Sequence, residues 1–202
     1  IVRAAPELRG RSYMQVLEHI VDEAGRAGLL VLFDLQRLDS SKWPDAGLWY
    51  TDSVTIDDVK RTWDVIQSHF CNRWNTLGAD ILNEPHGATW PEWAEAATTL
   101  GNFVLSKCQR WAVFVEGVAH ERKDIAGEYF WGENLADAAK QPVPLRHFDK
   151  IVFSPHVYGP GREGDAKSQE VTKVTSENGR MLANFTCFRL VCAVVRRAFD
   201  AA

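Results

Sequence analysis

The 202-residue chain lacks any apolar run near the roughly 20 residues that a helix needs to cross a bilayer. Its longest, from Ala112 to Val118, is interrupted by Glu116, so a membrane is not an expected partner. A basic surplus is also missing. The formal net charge is -4 and the pI near 5.9, against the positive surface that neutralising phosphates would require, and nucleic acid is not expected either. The first residues, Ile1-Val2-Arg3, carry no methionine, charged n-region or small-residue cleavage site, so no secretory leader is read in them. Cysteine is sparse. The spacings of Cys71, Cys108, Cys187 and Cys192 fit neither a zinc knuckle nor a CxxC redox motif. Ordinary buried thiols are the expectation, with a disulfide as the alternative in a secreted protein. No glycine-rich phosphate loop follows an apolar run, and no cluster of ligating residues implies a metal or organic cofactor.

What is present is the composition of a soluble globular domain, with 46% hydrophobic and 25% charged residues. From Ser12 to Ala27 apolar residues recur at helical spacing, and Gly28 follows where a helix end favours glycine. Leu29 to Leu35 is then a continuous apolar run of strand length, the pattern of a strand covered on both faces. The alternation repeats. A helix over about Ile56 to Trp74 leads to a strand at Ala79 to Asn83; another over Trp90 to about Cys108 leads to a strand at Trp111 to Glu116; a fourth strand covers Lys150 to Val157. This order is the signature of βαβ units and a parallel sheet. Each strand ends in polar residues and a long loop, as at the active-site face of a (β/α)8 TIM barrel. Four strands are recognisable where a complete barrel has eight, so the fold expected is α/β, an incomplete (β/α)8 barrel. Residues 1–161 form the partial barrel domain in this reading, and 162–202 an atypical tail, partly helical over Met181 to Phe199.

Asn83-Glu84-Pro85 stands at the end of the second strand, which aims Glu84 at the barrel mouth. The following proline is expected to keep Glu84 extended and its carboxylate fixed at the strand tip. An Asn beside a carboxylate suits sugar chemistry, because hydrogen bonds to a 2-hydroxyl strengthen in an oxocarbenium-like transition state. In Ser154-Pro155-His156-Val157-Tyr158, strand alternation puts His156 and Tyr158 on one face. Trp43, Trp49, Trp90, Trp93 and Trp131 fall in or beside the loops that follow strands, where indole faces could stack on pyranose rings. Glu116 is a rival carboxylate at a strand end, followed by Gly117 and without a neighbouring amide; it ranks below Glu84.

Five ordered stretches, Leu48-Trp49-Tyr50-Thr51, Asn83-Glu84-Pro85-His86, Val115-Glu116-Gly117-Val118, Tyr129 to Leu135 and Ser154 to Tyr158, resemble the endoglucanases of glycoside hydrolase family 5 over Tyr13 to Gly161. The resemblance implies hydrolysis of β-1,4-glucans with retention by two glutamates. Glu84 looks like the acid/base, Asn83 like the contact to the sugar 2-hydroxyl, and His156 and Tyr158 like the pair that orients the carboxyl groups. Trp131, Trp49, Gln36 and His86 look like substrate-binding residues, with a β-glucan polysaccharide or oligosaccharide as partner. It also implies an extracellular, monomeric protein needing no cofactor or metal. Departures from the pattern are specific. Asp34-Leu35-Gln36-Arg37 has Gln36 where the family pattern carries a histidine. The family's first two strands are expected to lie before Ile1. No Gly-Glu-Phe-Gly-like nucleophile is found: Glu163, Glu170 and Glu177 lie in polar sequence without a preceding strand. The nucleophile is thus unknown and this chain alone is expected to be inactive, the alternative being a non-catalytic carbohydrate-binding protein.

Overall fold

The computed structural model describes residues 5–39, 47–119, 131–156 and, as backbone, 190–194. Three helices open on reciprocal side-chain caps, which satisfy donors that a first turn otherwise leaves orphaned. Helix α1, Tyr13–Arg26, begins where the Ser12 hydroxyl accepts the Gln15 N–H and the Gln15 side chain accepts the Ser12 N–H. At α2, Ile56–Phe70, Thr55 and Asp58 repeat the exchange. At α3, Trp90–Lys107, the Glu92 carboxylate takes the Thr89 N–H and hydroxyl, and Pro91 occupies the first turn, where its missing N–H costs nothing.

Strands β1 (Leu30–Asp34), β2 (Thr76–Asp80), β3 (Ala112–Val115), β4 (Ile151–Phe153) and β5 (Leu190–Val194) form one parallel sheet in the order β4-β3-β2-β1-β5. The first four are neighbours in chain order, as along an arc of a (β/α)8 barrel. Their C-terminal ends therefore point one way, and the register pairs Asp34 with Asp80, and Asp80 with Phe114. Val31, Phe33, Ala79, Val113 and Val115 of the sheet are buried beneath Trp63, Ile66 and Phe70 of α2 and Trp93, Ala97, Leu100 and Val104 of α3. Gly78 is needed where β2 meets β3: a Cβ there would lie 2.1 Å from the Ala112 carbonyl oxygen, which belongs to backbone and cannot swing aside.

Two expectations are corrected. The stretch read as helical over Met181 to Phe199 holds the strand β5, whose five residues pair with the whole of β1 from Leu30↔Leu190 to Asp34↔Val194. A short apolar run does not distinguish strand from helix by itself. The open edge of β1, with its unpaired backbone groups, is a distant partner that local pattern does not report, and pairing with β5 satisfies it. The cysteines read as buried thiols include a disulfide, Cys71–Cys108, with Cα atoms 5.7 Å apart. Cys71 is the C-cap of α2 and Cys108 the C-cap of α3. Two adjacent helices entering adjacent strands bring these ends together across 37 residues of sequence.

Candidate active site

The loops beyond the strand ends are tied to one another by backbone hydrogen bonds. Asn83 N–H donates to Leu35 O at 3.2 Å, and Ser154 N–H to Val115 O at 3.0 Å. The N–H groups of Gly117 and His156 both donate to Gly132 O, at 2.9 and 3.0 Å. The result gathers Asp34 from the end of β1, Asp80 from β2, Glu84 from the loop after β2, Glu116 from the residue after β3, and His156 three residues after β4.

His156 is the centre of this group. Its Nδ1 lies 3.1 Å from Glu84 Oε1 and its Nε2 lies 3.0 Å from Glu116 Oε1. Both ring nitrogens face carboxylate oxygens, an arrangement that favours hydrogens on both and hence an imidazolium. Burial works against that charge, but the hydrogen bonds and charges of Glu116 and Glu84 outweigh it and lift His156 from 6.5 to about 10. Glu116, with its side chain fully buried, is raised by loss of water and drawn down by its contact with His156 and by the Glu84 N–H. Asp34, 7% exposed, has its Oδ1 buried without a hydrogen-bond partner among the described residues. Burial first, then the charges of Glu116 and Glu84 against that of His156, push Asp34 from 3.8 to about 7.

Asp80, Glu116 and His156 each present a potential ligand atom, all within 4.8 Å of one another. An imidazolium has no lone pair to give a metal, however, and this ring spends both nitrogens on carboxylates. His156 with Glu84 and Glu116 forms an ion-pair network, and Asp80 lies beside it.

The network makes stability depend on pH with a definite sign. Asp34 keeps its proton in the folded chain at pH values where the unfolded chain has released it. Its contribution is thus fully present below about pH 4 and lost as pH rises through about 7. His156 contributes stability fully present below about 6.5 and lost as pH rises through about 10. The unfolding temperature is therefore expected to fall from pH 4 to pH 10. In Asp34→Asn the fall between pH 4 and 7 is expected to shrink, Glu116 supplying what is left of it, and the portion above to remain, as circular dichroism melts at pH 5, 7 and 9 would report. A melting temperature that rises with pH in the wild type contradicts the arrangement.

Glu84 departs from expectation. Strand β2 ends at Asp80, and Glu84 has φ +51, the left-handed region that a non-glycine residue enters only at a cost of about 1–3 kcal/mol. The proline after it does not hold it extended, because tertiary partners fix both sides of the residue. Its N–H donates to Glu116 Oε2 at 2.7 Å, and its carbonyl accepts from His86 Nδ1 at 2.7 Å. Its side chain is 14% exposed.

The aromatic rim is likewise redrawn. Trp90 and Trp93 lie in the first turn of α3 and are buried, their indole N–H groups donating to Gln141 O and Glu116 O at 2.8 and 2.9 Å. Neither offers a face to a ligand. Trp131 is stacked on His86, ring centroids 3.8 Å apart at 12°, so that one indole face is covered. Trp49 is half-buried between Trp93 and Tyr50, whose side of the trio is open to solvent. Asn83 and Gln36 are half-buried just past β2 and β1. Tyr158, Trp43, Tyr129, Glu163, Glu170, Glu177 and Asn184 lie outside the described residues. Asp34 and Asp80 escaped the sequence reading as site residues; the signal for both was a carboxylate at the C-terminal end of an apolar strand, the same signal that pointed to Glu116.

Known proteins share this architecture. The endoglucanase of Paenibacillus polymyxa is 34% identical over 163 residues, 77% of this chain and 41% of that protein. The major extracellular endoglucanase of Xanthomonas campestris pv. campestris is 32% identical over 76% of this chain and 33% of its own length. A cellotetraose complex of an endocellulase from Pyrococcus horikoshii superposes with a TM-score of 0.75 at 29% identity, covering 95% of this chain and 59% of that one. The chain thus spans less than half the length of these two sequence relatives, and its sheet is an incomplete (β/α)8 barrel. The model of the cellulase family, glycosyl hydrolase family 5, matches residues 1–190, and the protein belongs to that family.

Proposed function

We propose that this chain carries the acid/base half of a retaining endo-β-1,4-glucanase, with Glu84 as the group that protonates the glycosidic oxygen and later activates water. The observation that carries this reading is the contact between the partly exposed Glu84 carboxylate and the imidazolium of His156, which orients it at the common C-terminal end of the strands. Asn83, next to it, would meet the sugar 2-hydroxyl, and Tyr158 would assist His156. Trp49, Trp131, Gln36 and His86 would line the glucan path. Endoglucanase relatives, and a neighbour whose complex contains cellotetraose, support a β-1,4-glucan as the substrate. A disulfide between helix ends, and a relative described as extracellular, support action outside the reducing cytosol.

Retention needs a second carboxylate about 5–5.5 Å from the first. The three carboxylates gathered with Glu84 among the described residues, Asp34, Asp80 and Glu116, are all buried. None can reach an anomeric carbon, so the nucleophile is supplied by residues outside those described. The test follows the first-formed product by proton NMR while the intact gene product cleaves a soluble β-1,4-glucan. The β-anomer is expected before mutarotation; the α-anomer first would overturn retention. Saturable glucan binding without cleavage would overturn the hydrolase reading in favour of a non-catalytic carbohydrate-binding protein.

A further inference from the structure

Glu116 is fully buried, yet it touches both members of the pair on which the proposed acid/base depends. Oε2 accepts the Glu84 N–H at 2.7 Å, and Oε1 lies 3.0 Å from His156 Nε2. Its surroundings are built to keep that carboxylate in place. Its own carbonyl accepts the Trp93 indole N–H at 2.9 Å, anchoring the residue to α3. Gly132, at φ +76, passes directly over the junction: a Cβ there would lie 2.5 Å from Glu116 Oε2 and 3.3 Å from Glu84 Cα. The Gly132 carbonyl meanwhile holds the backbone N–H groups of Gly117 and His156, the residues adjoining and facing Glu116. Burying a carboxylate is costly unless it is paired and hydrogen-bonded, and removing one partner leaves the other stranded.

We propose that Glu116 is a positioning residue for the Glu84 acid/base, its two oxygens fixing the Glu84 backbone and the His156 ring together so that the Glu84 carboxylate is held at one place and angle. The idea rests on the Glu84 reading above for its catalytic meaning, while its geometric content does not. Holding Glu84 at φ +51 takes a strong acceptor for its N–H, and a charged one makes the stronger bond. The same charge, on the other oxygen, keeps His156 doubly protonated and its Nδ1–H directed at Glu84. The carboxyl groups of Asp34 and Asp80, at the ends of β1 and β2, stand beside the same group.

Glu116→Gln keeps the shape but offers one carbonyl oxygen for two donors, and its amide can only donate. The measurement is nitrogen-15 NMR of the imidazole and of the Glu84 amide in the full chain, with no glucan present. In the wild type at pH 7.5 both His156 ring nitrogens are expected to be protonated, and the Glu84 amide protected from exchange. In Glu116→Gln, followed over pH 5 to 11, either the His156 midpoint falls by roughly 1–2 pH units from about 10, with the neutral Nδ1–H tautomer taking over above it, or the Glu84 amide exchanges roughly tenfold faster. A His156 titration midpoint and a Glu84 amide exchange rate both unchanged in the variant would overturn the proposal. Should the variant fail to fold, the wild type decides: a ring titrating near 6.5 with freely exchanging N–H groups overturns it, and two protected N–H groups support it. In the intact gene product, Glu116→Gln is expected to lower kcat roughly tenfold to hundredfold with KM little changed, since a buried group does not touch glucan. Loss confined to KM would count against it. The NMR result stands or falls whether or not a glucan is cleaved, so failure here is separable from failure of the hydrolase reading.

Discussion

Replacing Glu84 by glutamine is expected to lower kcat/KM on an unactivated β-1,4-glucan by about 10²–10⁴-fold in the intact gene product, the usual range for removing a positioned general acid. Glutamine preserves the size of the side chain and retains a carbonyl oxygen toward His156 Nδ1, now 3.1 Å from Glu84 Oε1. The backbone N–H bond to Glu116 is untouched by the change. The fold should therefore survive, and the loss belongs to chemistry. Leaving-group dependence makes the assignment specific. A glycosidic oxygen of a sugar must be protonated as its bond breaks, whereas a nitrophenolate departs without help. Bond cleavage in an aryl cellobioside with such a leaving group should accordingly suffer far less than in cellotetraose, measured as the pre-steady-state release of nitrophenolate. Equal losses on both substrates would show that Glu84 is not the acid.

The second large effect concerns the Cys71–Cys108 disulfide. Opening a loop of 37 residues restores entropy to the unfolded chain, worth about 4 kcal/mol in the chain-entropy relation. For a chain of this size that corresponds to a fall in Tm of roughly 10 °C. The bridge also closes a corner already ordered by Arg110, whose Nη1 donates to Cys71 O at 2.7 Å and Arg73 O at 2.6 Å. These bonds hold the α2 end against the start of β3 when the sulfurs are parted. The double variant Cys71→Ser/Cys108→Ser is thus expected to fold, with reduced stability. Calorimetric melts of wild type and variant, with and without a thiol reductant, test this: the reductant should lower the wild type toward the variant and leave the variant unchanged. Melts that coincide in the absence of reductant would show that the bridge contributes nothing.

Stability and chemistry meet at the strand ends. The disulfide lies at the helix C-termini that lead into β2 and β3, the strands whose far ends place Asp80 and Glu116. The charged network sits on the opposite side of the same strands. Sheet geometry rather than local sequence decides how close its members come.

The amino-acid sequence by itself determined the alternation of helices and strands, though β2 lies at Thr76–Asp80, three residues before the expected Ala79 to Asn83, and β4 ends at Phe153, short of the expected Val157. Ser12, Thr55 and Thr89 begin α1, α2 and α3 because a hydroxyl followed three residues later by Gln, Asp or Glu satisfies the first turn locally. Apolar runs of strand length gave β1 to β4, and the Asn-Glu-Pro and Ser-Pro-His stretches marked where polar groups would gather. Such signals lie within a few residues of one another, and a local pattern can carry them. Tertiary structure alone decided what happens between distant segments. It paired Leu190–Val194 with β1, and joined Cys71 to Cys108 through two helix ends. It also turned Trp90 and Trp93 inward, covered a face of Trp131 with His86, and drove Glu84 into a left-handed conformation that its following proline disfavours. The physical reason is the same in each case: the deciding partner is 30 or more residues away along the chain, or comes from another loop over the sheet, and enters only once the strands align. Glu116 is the sharpest instance, an outranked carboxylate in the sequence that the fold buries between Glu84 and His156.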